Sequence, residues 1–261
     1  MKHEAHMSKA RAINRHAWAF RSSSAAFIAS ACVVSLVAFA QSPVPEDPDR
    51  LYAGRTDSAS ARRAAELWTA AIARNPKDFE AAWKLSRADY WLGGHGAPNQ
   101  RTTYLEDGVA RARAAVALEP NRPEGHFWMA ASMGALAESS SRAGLKYRGA
   151  IKDELDTVLR LDRAFQQGSA DRALGRWYAK VPRLFGGNKK NAEAHLRASL
   201  TYNARSTASH FFLAELFAED GRRQDARAEL QQVIDAPHDP EWDPEDQEFK
   251  TKARALLGTL K

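Results

Sequence analysis

Apolar positions along the chain fall at helical rather than strand spacing, and one phrase built from them occurs five times. The runs are Ala64 to Pro76, Val109 to Pro120, Ile151 to Arg163, Ala192 to Ala204 and Ala226 to Pro237, each with small or branched apolar residues and each closed by proline or a residue in its place. The closing positions 76, 120, 163, 204 and 237 are 44, 43, 41 and 33 residues apart. Each unit of that length is too small to bury its apolar face alone, so the period predicts stacked helical repeats. β-branched alternation over a strand's length is missing, and alanine, leucine and arginine abound, which predicts an all-α chain.

Five further helical runs lie between or after these phrases: Phe79 to Leu92, Glu124 to Glu138, Ser169 to Lys180, Ser206 to Glu219 and Asp246 to Leu260. The expected architecture is an orphan first helix, four helix pairs and a closing C-terminal helix, about ten helices in all. First helices carry bulk (Trp83, Leu85, Tyr90; Phe127, Trp128, Met129; Leu174, Trp177, Tyr178; Phe211, Leu213, Phe217), and second helices answer with alanine. Large against small lets antiparallel helices approach without leaving voids. Asn75-Pro76 and Glu119-Pro120 mark helix ends, because proline lacks a donor and disfavours helix in the residue before it. Asp220-Gly221-Arg222 reads as a turn, and Asp243-Pro244-Glu245-Asp246 as an N-cap, a first-turn proline and acids at the helix's positive end.

The first forty residues have a different character. Lys2, Lys9, Arg11, Arg15 and Arg21 precede an apolar stretch from Ala25 to Ala40 that closes in Ala38-Phe39-Ala40. This is the pattern of a secretory signal peptide cleaved near Ala40, with Met7 as an alternative start. Sixteen helical residues reach about 24 Å, short of the roughly 30 Å of a bilayer core, so no stable membrane span is expected after cleavage. Residues 41–57, with Pro43, Pro45 and Pro48, read as an extended proline-rich linker, and 58–261 as the repeat domain. The formal net charge of +6 falls to +2 once the first forty residues are set aside. The basic balance therefore gives no support to nucleic-acid binding. The one cysteine, Cys32, lies in the apolar leader without a lipobox, so neither a lipoprotein nor a disulfide is expected.

Candidate chemistry is sparse. His95, His126, His195, His210 and His238 include no pair at i, i+4, so no metal site or other cofactor is expected. His126 and His210 occupy equivalent places, just before Phe127 and Phe211, and read as packing or hydrogen-bonding residues. Gly93-Gly94-His95-Gly96 and Gly186-Gly187-Asn188-Lys189-Lys190 match no phosphate-loop pattern; the second has two readings, a positive-φ loop leading to an Asn188 cap, and helix N-terminal amides with two lysines offered to a carboxylate.

Leu174-Gly175-Arg176-Trp177-Tyr178 has the L-G-x-x-Y of a tetratricopeptide (TPR) first helix, and Leu213 to Pro237 resembles a whole TPR of ordinary length. Long-looped repeats followed by Pro182-Arg183-Leu184-Phe185-Gly186-Gly187 and the tail from Asp239 to Lys250 resemble the T component associated with TRAP transporters (TatT). The eukaryotic regulator-of-microtubule-dynamics proteins are similar over the same loop and the last two helix pairs. The TatT resemblance implies a periplasmic partner of a solute-binding protein, with a ligand-holding groove and self-association. Carrying the TPR pattern across places Trp83, Arg87, Tyr90, Phe127, Arg172, Arg176, Phe211 and Glu215 on the concave face. Arg172 and Arg176, at i, i+4, ask for something acidic between them: a partner segment, a small acid or an internal carboxylate. The expectation is a non-enzymatic, exported binding module. Two alternatives stand beside it: a structural oligomeric adaptor whose groove is filled by its own C-terminal helix, and a hydrolase, against which the absent nucleophile motif argues.

Overall fold

A computed structural model describes residues 46–260. The signal-peptide reading falls on residues outside this range. Among the described residues eleven α-helices follow one another: α1 Pro48–Ala53, α2 Ser58–Arg74, α3 Phe79–His95, α4 Arg101–Leu118, α5 Pro123–Ser139, α6 Ser141–Leu161, α7 Phe165–Lys180, α8 Lys189–Leu200, α9 Thr207–Glu219, α10 Arg223–Asp235 and α11 Asp243–Thr259. Helices α3 and α4, α5 and α6, α7 and α8, and α9 and α10 form antiparallel pairs stacked in chain order. This is the TPR-like solenoid that the period predicts.

Local chemistry sets the boundaries. Asp57, Asp78, Asn188 and Ser206 cap α2, α3, α8 and α9 by accepting backbone N–H bonds in the first turn. Asn75 and Glu119 leave the helical region directly before prolines. The expected cap of α11 differs: Asp243 is already helical, and Trp242 holds the cap position without a side-chain bond. Regular geometry in α7 starts after Gln166, Gln167 and Gly168, all left-handed, which is why the apolar pattern is helical only from Ser169.

The second helices do approach closely through small residues. Ala112 and Ala115 of α4 and Ala192 of α8 are fully buried, and a Cβ on Gly175 would stand 2.5 Å from Leu196 Cγ. The apolar core runs along the pairs in consecutive clusters, the largest joining α4, α5, α6 and α7 and the next joining α8, α9, α10 and α11. Burial along the stack supplies stability, with each pair covering its neighbour's apolar face.

The linker reading needs correction at its C-terminal end. Residues 48–53 are helical, and Tyr52 and Arg55 are buried. Tyr52 packs on Trp68 at 5.9 Å between ring centroids, and Trp91 Nε1 donates to the Arg55 carbonyl at 2.9 Å. A short helix therefore covers the open face of α2 and α3, as a capping element does in a solenoid.

Candidate functional site: the inner face and its C-terminal helix

The TPR pattern assigns the expected inner face to first helices α3, α5, α7 and α9, and the structure divides the sequence-predicted residues on them into three groups. Phe127 and Phe211 belong to the core rather than to an open groove. Phe127 packs edge-on against Trp128 and Phe165, and Phe211 meets Phe249 of α11 at a tilt of 48°. Their helices are rotated so that these rings face the next element, a setting that only the neighbours decide.

Trp83, Arg87 and Tyr90 share one half-buried stripe of α3. The Arg87 guanidinium lies 4.1 Å from the Tyr52 ring centroid and 5.0 Å from that of Trp83, with Asp49 at 3.6 Å. Its Nε is buried without a hydrogen-bond partner among the described residues, and burial lowers its pKa. The Tyr90 ring lies 5.7 Å from Trp128, whose Nε1 is buried and unpartnered in the same way. Burial, and then the charge of Glu138, raise the Tyr90 phenol; Glu245 and Glu248 of α11 add to the effect.

Arg172 and Arg176, one turn apart, have different surroundings. Arg176 donates to Glu138 at 2.7 Å and to Glu215 at 3.0 Å, and lies over the Phe212 ring at 4.5 Å. Burial works against its charge, but the two carboxylates outweigh it. Arg172 has no carboxylate of its own among the described residues. Burial pulls its pKa to about 10, and Tyr90 and Asp246 are the charges within reach that oppose the shift. The sequence leaves open whether an internal acid satisfies the pair; it satisfies Arg176 only.

The start of α11, which the sequence places only as a closing helix, contacts elements at both ends of this row of first helices. Arg55 Nη2 donates to Glu245 Oε2 at 2.5 Å and to the Glu241 carbonyl at 3.3 Å. His95 Nε2 lies 3.4 Å from Glu248 Oε2, its ring stacked on Trp91 at 3.7 Å. Thr207 Oγ1 donates to Asp246 at 2.5 Å. The stretch from Glu241 to Glu248 thus touches α3, the α1–α2 connection and the start of α9. Beyond that stretch α11 is amphipathic, and its apolar side, Phe249, Ala253, Leu256 and Leu257, packs on α9 and α10.

His126 and His210 form equivalent networks. Nδ1 of each meets a glutamate of the following helix, Glu154 at 2.5 Å and Glu229 at 2.6 Å, and Nε2 meets the carbonyl of Pro120 at 2.9 Å or Ala204 at 3.0 Å. Each imidazole ties a repeat's second helix to the loop before its first. A third histidine, His195, shares the fully buried Asp171 with Arg163. Beside the glycine-rich loop a cleft of about 210 Å³ includes Lys189, Lys190 and Arg222. Lys189 is paired with Asp220, and Arg222 with Glu193 and Asp225, so most of the positive charge beside the glycine-rich loop is already matched.

Among the described residues no group of three or more His, Cys, Asp or Glu is arranged to hold a metal ion. No helix among them is long and apolar enough to cross a membrane.

The family model for regulator of microtubule dynamics protein 1-3 matches residues 46–199, more than half of the chain. The chain belongs to that family. The match spans α1 to α8; the last helix pair and α11, to which the sequence resemblance also extends, fall outside it. No curated protein matches the chain. Among solved structures, a thermophilic TPR protein of Thermus thermophilus superposes with a TM-score of 0.62 at 21% identity, covering 80% of this chain and 97% of its own. A crystal structure of MamA gives a TM-score of 0.49 at 15% identity, covering 80% and 99%. At such identity the first likeness speaks for the TPR-like fold of this family member and for nothing finer.

Proposed function

We propose that the chain is an exported, non-enzymatic binding scaffold whose inner face recognises a protein segment or small acidic ligand. The observation that carries this reading is an imbalance of donors. Among the described residues, Arg87 Nε and Trp128 Nε1 are buried with no acceptor, and Arg172 has no carboxylate of its own. Buried donors without acceptors cost about 1–3 kcal/mol each, so an acceptor-rich partner gains by supplying them. TPR-like folds commonly mediate protein–protein interaction, and a concave row of first helices suits an extended or helical segment.

The basic leader and its Ala38-Phe39-Ala40 close support export to the periplasm, and the resemblance to TatT supports a solute-binding protein of TRAP type as the partner. The test is titration of a purified periplasmic solute-binding protein, or of short dicarboxylates, against the wild type and an Arg172→Ala/Arg176→Ala double variant. Binding that survives both substitutions unchanged ends the groove reading. A fusion of residues 1–45 to a reporter active only after export tests the localisation.

The start of α11 across the groove favours a second reading, an adaptor closed by its own C-terminal helix that works through its outer surface and oligomerises. Light scattering after size exclusion decides it: a monomer at all concentrations argues against this reading.

A further inference from the structure

The segment from Asp239 to Glu248 differs in character from the helix it leads into. It carries Asp239, Glu241, Asp243, Glu245, Asp246 and Glu248 around Trp242, broken by Pro240 and Pro244. Its attachments are polar: Glu245 to Arg55, Asp246 to Thr207, and Glu248 to a His95 that is 38% exposed. The rest of α11 is held by apolar packing, with Ala253 fully buried. Two of these contacts are buried on the receiving side, at Arg55 and Thr207, so leaving the seat costs stability; a peptide carboxylate that takes the place of Glu245 on Arg55 offsets that cost, while apolar packing keeps the remainder of α11 docked.

The seat is also imperfect. Among the described residues Trp242 Nε1 is buried with no acceptor, and the one carboxylate whose charge acts on Arg172, that of Asp246, accepts its hydrogen bond from Thr207. The chain's own segment thus has the right charge for the inner face but does not satisfy its donors. A separate peptide of the same chemistry, free of the constraint of being tethered to α11, can place a carboxylate on Arg172.

We infer that residues 239–248 are an internal stand-in for the partner, an acidic, tryptophan-bearing peptide that binds the inner face by displacing the first turn of α11. This deepens the groove reading and rests on it. The segment is a latch: intact, it lowers affinity for any such peptide, and the Arg55–Glu245 and His95–Glu248 pairs set how much.

The experiment uses the full chain and a fluorescent peptide copying residues 237–250, with anisotropy as the readout. Glu245→Gln/Glu248→Gln weakens the latch in cis while the peptide keeps its carboxylates. The expected result is at least tenfold tighter binding by the double variant than by the wild type, with the gain lost on adding Arg172→Ala. Glu248→Gln alone, at a half-exposed pair that the fold tolerates, gives a smaller gain of the same sign. Equal affinity of wild type and both latch variants overturns the latch but leaves the groove reading standing. A scrambled peptide bound as tightly as the native order overturns the partner chemistry. If no form binds the peptide while far-UV circular dichroism shows each folded, the inference fails, and the Arg172/Arg176 titration decides the groove reading separately.

Discussion

The side chains of Arg55 and Glu245 meet at 2.5 Å although 190 residues separate them in sequence. Arg55 is 8% exposed at its side chain and lies between the rings of Tyr52 and Trp91, 5.2 and 5.1 Å from their centroids. A guanidinium removed from water in this way depends on its carboxylate, because breaking one side of a buried pair leaves an uncompensated charge. Glu245→Ala is therefore expected to destabilise the fold by roughly 2–3 kcal/mol, and Glu245→Gln, which keeps an acceptor, by less. Chemical denaturation of the two variants checks both size and order.

Asp89 of α3 is buried, and its pKa is pushed up to about 8, first by burial and then by the charge of Asp107, with Arg111 opposing. Because the folded value lies above the unfolded one near 3.9, the folded state holds the proton longer, and stability falls as pH rises from about 4 to 8. Asp89→Asn removes that loss. The variant is expected to match the wild type near pH 4 and to exceed it by on the order of 5 kcal/mol at pH 9, at about 1.4 kcal/mol per pKa unit. Thermal melts across this range would show converging curves at the acidic end; a constant offset contradicts the assignment.

His210 lies between two acceptors, the Glu229 carboxylate and the Ala204 carbonyl, so both ring nitrogens are satisfied only when both carry protons. Burial lowers the pKa, but the Glu229 bond and then the Ala204 carbonyl outweigh it, and the net shift is upward. A folded pKa raised above the unfolded value near 6.5 gives stability that is complete below that value and is lost as pH rises through the folded one. Melting temperature should therefore drop from about pH 6 upward in a step that Glu229→Gln flattens. Amide exchange at the Ala204 loop should rise over the same interval.

The repeat period and the bulky-against-small pattern are local properties, so the helix pairs are legible in the sequence down to the late start of α7 at Ser169. The equivalence of His126 and His210 is legible too, as two histidines one residue before a phenylalanine. What escapes is everything fixed by partners far along the chain. Residues 48–55 look like a linker because Arg55 is held by Glu245, and no window around Arg55 contains that carboxylate. The rotation of a TPR first helix, carried over by pattern, sends Phe127 and Phe211 to the groove, whereas Phe165 and Phe249 draw the rings inward. Arg172 and Arg176 have the same side chain and spacing, and only Glu138 and Glu215 on neighbouring helices distinguish them.

Two glycine-to-alanine changes in helices are expected to have opposite signs. Alanine is the better helix former by about 1 kcal/mol, so each substitution starts with that advantage. At Gly134 in α5 a Cβ meets nothing within 4 Å, and Gly134→Ala should raise stability by roughly 0.5–1 kcal/mol. At Gly175 in α7 the Cβ would stand 2.5 Å from Leu196 Cγ and 3.1 Å from the Ala192 carbonyl oxygen. Leu196 is fully buried and the carbonyl belongs to helix backbone, so neither can withdraw without parting α7 from α8. Overpacking of this kind costs about 1–3 kcal/mol and exceeds the propensity gain. Gly175→Ala should thus lower the melting temperature by about 2–8 °C for a chain of this size, while Gly134→Ala raises it. Equal shifts in both variants would mean that close approach of α7 and α8 is not what this glycine serves.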